Sequence, residues 1–378
     1  MKFLNRTACV LTGKKDLKQL VVFKRYPLFM GCTNKPESQD IKVDMEWFIS
    51  KSTGVIQLSK LIPLNILYSE NHNNIIGNIW KNHHKEFAQF ISKFKPKGGI
   101  LEIGGAHGYL SKIYQEEHNI DWTIIEPNPV PVDLCRATFI KGMFTKRLTA
   151  DINYETIVHS HVMEHIYDPN QFLNLISNCL QDQQKMIFSI PNMQKMLEKK
   201  YTNCINFEHT IFLNENLIEF LLAKYNFSII SKEYFLEDHS IFYCVKKDLS
   251  TKVINNLSSE YKSNLDLFKN YILYYENLIE EINKKIKFIN NDIYLFGAHV
   301  FSQHLVVNGL NIERIKSILD NDIKKQGKRL YGTSLNVDSP KILKDKNKPY
   351  VIIKAGVYTD EIKSDIINNI NSETIFIE

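Results

Sequence analysis

Apolar positions along this chain follow two recurring patterns, and the alternation between them carries most of the information about the fold. From Gly99 to about Lys247, compact apolar runs alternate with segments of helical spacing. Gly99–Gly104, Trp122–Pro127, Thr156–Ser160 and Met186–Pro191 read as buried strands. A segment from His107, then Asn170–Leu180 and Asn214–Tyr225, read as helices. Two β-rich runs, Phe227–Phe235 and Ser240–Val245, close the region and are joined only by Leu236–His239. The alternation predicts a mostly parallel sheet with helices on both faces. The joint is too short for a crossover helix, so the last two strands must pair antiparallel.

The flanking regions have different patterns. Residues 1–65 mix short β-like runs (Leu20 to Phe23, Val55 to Leu58) with Pro27, Gly31, Pro36 and Gly54, and read as a small irregular module. Residues 66–97 place Ile75, Ile76, Ile79, Trp80, Phe87, Phe90 and Ile91 near helical spacing, ahead of a turn at Lys95–Gly99. Over 250–290, Leu257, Tyr261, Leu265, Phe268, Tyr271, Ile272, Tyr275 and Leu278 predict a long amphipathic helix. Beyond it, strands at Asp292–Gly297, Ile315–Leu319 and Tyr350–Ala355 and a helix at His299–Leu310 predict a second, smaller α/β domain. The expected boundaries are 1–65, 66–248, 249–290 and 291–378.

Composition narrows the classes. With 44% apolar and 24% charged residues in a chain of 378, the protein is neither disordered nor fibrous. A net charge of +5 is too small and too dispersed to predict a nucleic-acid partner. The six cysteines, at 9, 32, 135, 179, 204 and 244, contain no Cys-x-x-Cys pair and predict reduced thiols in a cytoplasmic protein. The N-terminal residues lack the apolar run of a signal peptide, and no stretch reaches the roughly 20 apolar residues that span a bilayer, so no membrane association is expected.

Candidate chemistry begins at Glu102-Ile103-Gly104-Gly105-Ala106-His107-Gly108, an acidic strand end followed by a Gly-rich turn that opens a helix. Glycines let backbone approach a ligand closely, and a helix start offers free N–H groups. A dinucleotide site would read Gly-x-Gly-x-x-Gly. The order Glu-x-Gly-Gly-x-x-Gly better suits the zwitterionic end of S-adenosyl-L-methionine (SAM). The next strand ends at Glu126, about 20 residues on, where a carboxylate can accept from both ribose hydroxyls. A doubly wound sheet with an antiparallel ending is also the layout of class I methyltransferases. The expected cofactor residues are Glu102, Gly104, Gly105, Gly108, Glu126 and Ser160, the last at the end of a further strand. Past Ser160 the chain reads His161-Val162-Met163-Glu164-His165-Ile166-Tyr167-Asp168-Pro169. His159, His161 and His165 invite a metal reading, but no matching Cys/His set completes a closed site; His165 is taken as an active-site residue. Farther on, Glu208-His209 can present a general base, since imidazole titrates near neutrality.

Together these segments resemble the sugar C-methyltransferase family, which methylates nucleotide-linked keto-sugars with SAM and joins a zinc module, a SAM domain and a C-terminal Rossmann-like domain. The turn at 102–108, the His-x-x-Asp-Pro segment at 165–169 and Glu208-His209 fall in the family's order. Tyr294-Leu295-Phe296-Gly297-Ala298 and Asp320-Asn321-Asp322-Ile323-Lys324-Lys325-Gln326-Gly327 resemble the signatures of its last domain. The resemblance implies a class I SAM-dependent methyltransferase fold with a small N-terminal module and a second Rossmann-like domain. It also implies His209 as base, oriented by Glu208 and supported by His165, and a nucleotide-activated sugar of a bacterial surface glycan as acceptor. Of the zinc module's two Cys-x-x-Cys-Gly pairs only Cys9 remains, the second site reading Ser50-Lys51-Ser52-Thr53-Gly54, so no metal is expected. Two family tyrosines are replaced, one by Asn206 and one by Ile76. Their loss leaves an N- or O-methyltransferase of an amino sugar or nonulosonic acid as an alternative. A non-catalytic SAM- or sugar-binding protein is another. An RNA or protein methyltransferase would call for a basic stripe or an Asn-Pro-Pro-Tyr loop, and the chain has neither.

Overall fold

The computed structural model describes residues 2–68, 77–251, 257, 259–355 and 359–378. The helical positions Ile75 and Ile76 lie outside the described residues. The described chain forms two compact units, neither continuous in sequence. The first comprises Met1–Lys18, Phe48–Met196 and Glu208–Asn264; the second comprises Gln19–Trp47, Leu197–Phe207 and Leu265–Glu378. This division cuts across the sequential boundaries at 65, 248 and 290.

The first unit is built on seven strands: β1 (Ile100–Ile103), β2 (Trp122–Glu126), β3 (Thr138–Lys141), β4 (Thr156–Ser160), β5 (Lys185–Pro191), β6 (Phe227–Phe235) and β7 (Ser240–Lys247). Their order is β6-β7-β5-β4-β1-β2-β3, parallel except where β7 runs antiparallel between β5 and β6. The doubly wound sheet with an antiparallel ending is thus present, and the fold is that of a class I SAM-dependent methyltransferase. Successive strand residues feed opposite faces. Leu101, Ile125, Ile157 and Phe188 join one buried cluster, and Ile100, Ile124, Val158 and Ile187 join the other. Burial on both faces is why these strands read as continuous apolar runs.

The helices that matter for the site are α1 (Asn78–Lys93), α2 (Tyr109–Glu117), α3 (Pro169–Cys179) and α4 (Glu215–Lys224). Helix α3 starts where the sequence dictates: the Asp168 carboxylate accepts from the Gln171 backbone N–H at 2.9 Å, and Pro169 occupies the first turn. Asp168→Ala is expected to cost about 1 kcal/mol in urea unfolding. A loss of five times that would show that Asp168 does more than cap.

The N-terminal residues of this unit, where a degenerate zinc module was expected, make local polar contacts. The Cys9 Sγ lies 3.5 Å from Thr53 Oγ1, and the Ser50 hydroxyl donates to Asp16 Oδ1 at 3.0 Å. Strand Ile56–Leu58 pairs antiparallel with Ile211–Phe212.

The second unit contains α5 (Tyr261–Lys287) from Leu265 onward and a parallel five-stranded sheet of β8 (Ile293–Phe296), β9 (Ile315–Leu319), β10 (Val337–Asp338), β11 (Tyr350–Ile352) and β12 (Ile375–Ile377), ordered β10-β9-β8-β11-β12. Helix α5 buries Phe268, Tyr271, Tyr275 and Leu278 at the expected period, though it begins only at Tyr261, and Leu257 precedes it. Within the same unit, Arg329 holds Asp40 through two bonds of 2.7 and 2.8 Å.

Several strands were not expected, among them β3, β10, β12 and Ile211–Phe212. Thr138–Lys141 is a partly exposed edge strand with no apolar run to mark it. Lys42–Ser50 falls in the region expected to be irregular, yet it is a nine-residue strand in which Val43, Met45, Trp47 and Ile49 alternate inward.

Candidate functional site

The turn after β1 is tightly constrained. Gly108 sits at φ +68°, and a Cβ there would lie 2.6 Å from Cys135 Sγ and 2.8 Å from Phe139 Cζ. Gly104 is at φ +72°, and Ala106, at φ +44°, shares the left-handed region between them. A Cβ on Gly105 would meet the Glu102 carboxyl carbon at 2.7 Å. Glu102 itself is buried and accepts the Trp122 indole N–H at 2.8 Å. Burial pushes its carboxyl up to about 8, so it is largely neutral at pH 7. Glu102 therefore shapes the turn from beneath.

Glu126 ends β2 and accepts from the backbone N–H of Ala106 at 3.1 Å and of Asn128 at 3.0 Å. The Asn128 amide in turn donates to the Tyr68 carbonyl at 2.7 Å. Ser160 ends β4, the strand beside β1, and its buried hydroxyl has no hydrogen-bond partner among the described residues. An unpaired hydroxyl at the carboxyl edge, beside glycines that expose backbone, is what a polar ligand would satisfy.

The three sequence histidines go to three different places. His159 is buried in the core, its ring 4.9 Å from Phe188, and burial lowers its pKa to about 3. His161 turns toward His83 and His239, as described below. His165 meets Glu208 and His209. Its Nδ1 is 3.3 Å from the Tyr68 hydroxyl and 3.7 Å from Glu208 Oε2, and its Nε2 is 3.7 Å from Glu164 Oε1. The His165 and His209 rings are edge to face, with centroids 5.1 Å apart. Burial drives His165 down to about 4 and both Glu164 and Glu208 up to about 7. At neutral pH the imidazole of His165 is thus unprotonated.

Four residues of this site escaped sequence reasoning. Tyr68 brings a phenol to His165, and burial keeps that phenol protonated. Asn128 connects the Glu126 carboxylate to Tyr68. Glu164 is 1% exposed and lies between His161 and His165. Arg6 pins the two loops together: Nη1 donates to the Thr210 carbonyl at 2.7 Å, and Nη2 donates to the Tyr167 carbonyl at 2.6 Å. Such contacts span up to 204 residues, and no local pattern encodes them.

These shifts predict an acid-sensitive fold. In the first unit, burial lowers six histidines (83, 84, 159, 161, 165 and 239), and each binds more proton when unfolded. Their stabilising contribution is complete above about pH 6.5 and is lost as pH falls toward 4. Glu102, Glu164 and Glu208 are raised and act in the opposite sense, but they number three against six. The melting temperature should therefore fall between pH 6.5 and 4; a flat or rising profile would contradict the burial of these imidazoles.

Residues 79–232 match the family model described as "Methyltransferase domain". No curated protein matches the chain. Among solved structures, an S-adenosylmethionine dependent methyltransferase from Mesorhizobium loti is 10% identical, with a TM-score of 0.36 over 44% of this chain and 99% of that one. Magnesium protoporphyrin IX methyltransferase from Synechocystis, solved with bound SAM, is 11% identical, with a TM-score of 0.34 over 47% and 86%. The 1,6-didemethyltoxoflavin N1-methyltransferase from Burkholderia thailandensis is 10% identical, with a TM-score of 0.35 over 45% and 81%. No helix among the described residues is long and apolar enough to cross a membrane.

Proposed function

We propose that this SAM-dependent methyltransferase methylates a carbon next to the carbonyl of a nucleotide-activated keto-sugar, in the making of a bacterial surface glycan. One observation carries the reading: His165, Glu208 and Tyr68 converge within 3.7 Å, with the His209 ring against His165, and the Asn128 link ties them to Glu126. SAM supplies an electrophilic methyl group on its sulfonium. Gly104, Gly105 and Gly108 let the backbone approach its amino-acid end, Glu126 holds its ribose, and the unpaired Ser160 hydroxyl offers a further bond.

Methylation at carbon needs a base for the proton beside the carbonyl and a donor for the enolate oxygen. His209, next to Glu208, serves as the base, and the unprotonated His165 supports it. Tyr68 keeps its O–H and stands at His165, supplying a donor of the kind lost at Asn206 and Ile76. That phenol favours carbon over nitrogen or oxygen as the methylated atom. The reading places the protein in the cytoplasm, in keeping with its six free cysteines.

Calorimetric titration with SAM and with its demethylated product tests the cofactor half of the proposal. Both should bind at one site per chain, and Glu126→Gln should weaken SAM by about 10- to 100-fold, the worth of a hydrogen bond to a charged group. Absence of binding by both ligands would remove the enzyme reading.

A further inference from the structure

We propose that His83, His161 and His239 form a binding site for zinc, distinct from the methyl-transfer residues and not dependent on that reading. One nitrogen from each imidazole lies within 4.8 Å of the other two. The histidines come from α1, from the residue after β4 and from the residue before β7, so no sequence motif announces them. Ring centroids are 5.2 Å apart for His83 and His161, and 5.5 Å for His83 and His239.

The three rings also have polar neighbours. Ser240 Oγ stands between two of the rings, 2.8 Å from His161 Nε2 and 2.6 Å from His239 Nδ1. Ser189 Oγ is 2.8 Å from His83 Nε2. His83 is fully buried, yet its Nδ1 has no hydrogen-bond partner among the described residues. An imidazole nitrogen left bare in the interior is costly unless something binds it.

The surroundings also fit. Glu164 Oε1 lies 3.4 Å from His161 Nδ1, the carboxylate–histidine arrangement that orients a metal-binding imidazole and leaves its other nitrogen for the ion. His161 is held at φ +52°, a strained conformation for histidine, with its N–H bonded to the Ser189 carbonyl at 2.9 Å. Trp80 packs edge-on against all three rings at 4.8 to 5.2 Å and screens them from solvent. Three neutral imidazoles with one open position suit zinc, at roughly 2.0–2.1 Å per Zn–N bond. Binding therefore requires small side-chain rotations that replace the serine bonds. Glu164, His165 and His209 also cluster within 4.8 Å, but they offer only two nitrogens and include the proposed base.

The test uses full-length protein stripped by chelator and titrated with Zn²⁺ by calorimetry. Co²⁺ serves as a visible-absorption probe and Mg²⁺ as the hard-ion control. One zinc per chain should bind, Co²⁺ should give the absorption of a tetrahedral nitrogen site, and Mg²⁺ should not compete. His83→Gln and His239→Gln should each weaken zinc at least 100-fold, and Glu164→Gln about 10- to 100-fold. His239 is only partly buried, so its variant should keep the wild-type circular dichroism spectrum. No zinc binding by the wild type, or binding that survives in folded His239→Gln, would overturn the proposal. Loss in His209→Gln with retention in His239→Gln would also overturn it, because it moves the ion to the other cluster.

Discussion

Gly108→Ala should weaken SAM binding by more than tenfold and cost about 2–5 kcal/mol of stability. Two independent terms add. A left-handed φ of +68° costs a non-glycine residue roughly 1–2 kcal/mol, and overpacking in a filled site adds typically 1–3. The methyl group would meet Cys135 Sγ at 2.6 Å and Phe139 Cζ at 2.8 Å, and neither is the free end of a flexible chain. Relief would have to come from the turn itself, which moves the backbone N–H groups proposed to face the cofactor. Gly13 is the control: its φ is +73°, but nothing lies within 4 Å of its Cβ position, so alanine there should cost only the conformational term, about 1–2 kcal/mol. Urea unfolding and SAM calorimetry on both variants separate strain from loss of site. Equal stability losses would mean that the crowding at Gly108 is easily relieved.

His209→Ala should lower the turnover number by about 10²- to 10⁴-fold, the range a positioned acid–base group supplies, with SAM affinity within twofold of wild type. The asymmetry follows from geometry. The proposed cofactor residues lie on β1, in the turn after it and at the ends of β2 and β4, while His209 lies in the loop before Ile211–Phe212. Tyr68→Phe should lower turnover as well, keeping the ring but deleting the hydroxyl that lies 3.3 Å from His165 Nδ1. Full activity in His209→Ala would remove that residue from the mechanism.

Much of the first unit was legible because local chemistry and global position agree. Strand β4 was read to the residue, Thr156–Ser160, since Ile157 and Val158 are buried on opposite faces and the polar residues beside them are inward too. Helix α3 was read from Asn170 by its apolar spacing; the Asp168 cap and Pro169 set its observed start one residue earlier. The turn at 104–108 was readable because left-handed backbone and lack of space both demand small residues. What stayed hidden was long-range. Tyr68 reads as one aromatic in a short helix–loop segment, and only the fold brings it to His165, 97 residues away. His83 and His239 looked like ordinary helix and loop residues, while three nearby histidines drew attention as a group and then dispersed. The strand Lys42–Ser50 is a different kind of miss: its alternation was visible, but the prolines and glycines around it dominated the reading.

Which atom receives the methyl group decides the chemistry of this protein. Purified wild-type protein, isotope-labelled SAM and a panel of nucleotide-activated keto-sugars, followed by fragmentation mass spectrometry, address it directly. The predicted result is one labelled methyl group on a ring carbon adjacent to the carbonyl, formed by wild type and strongly reduced in His209→Ala. Label on nitrogen or oxygen, or transfer only to acceptors that are not sugars, would contradict it.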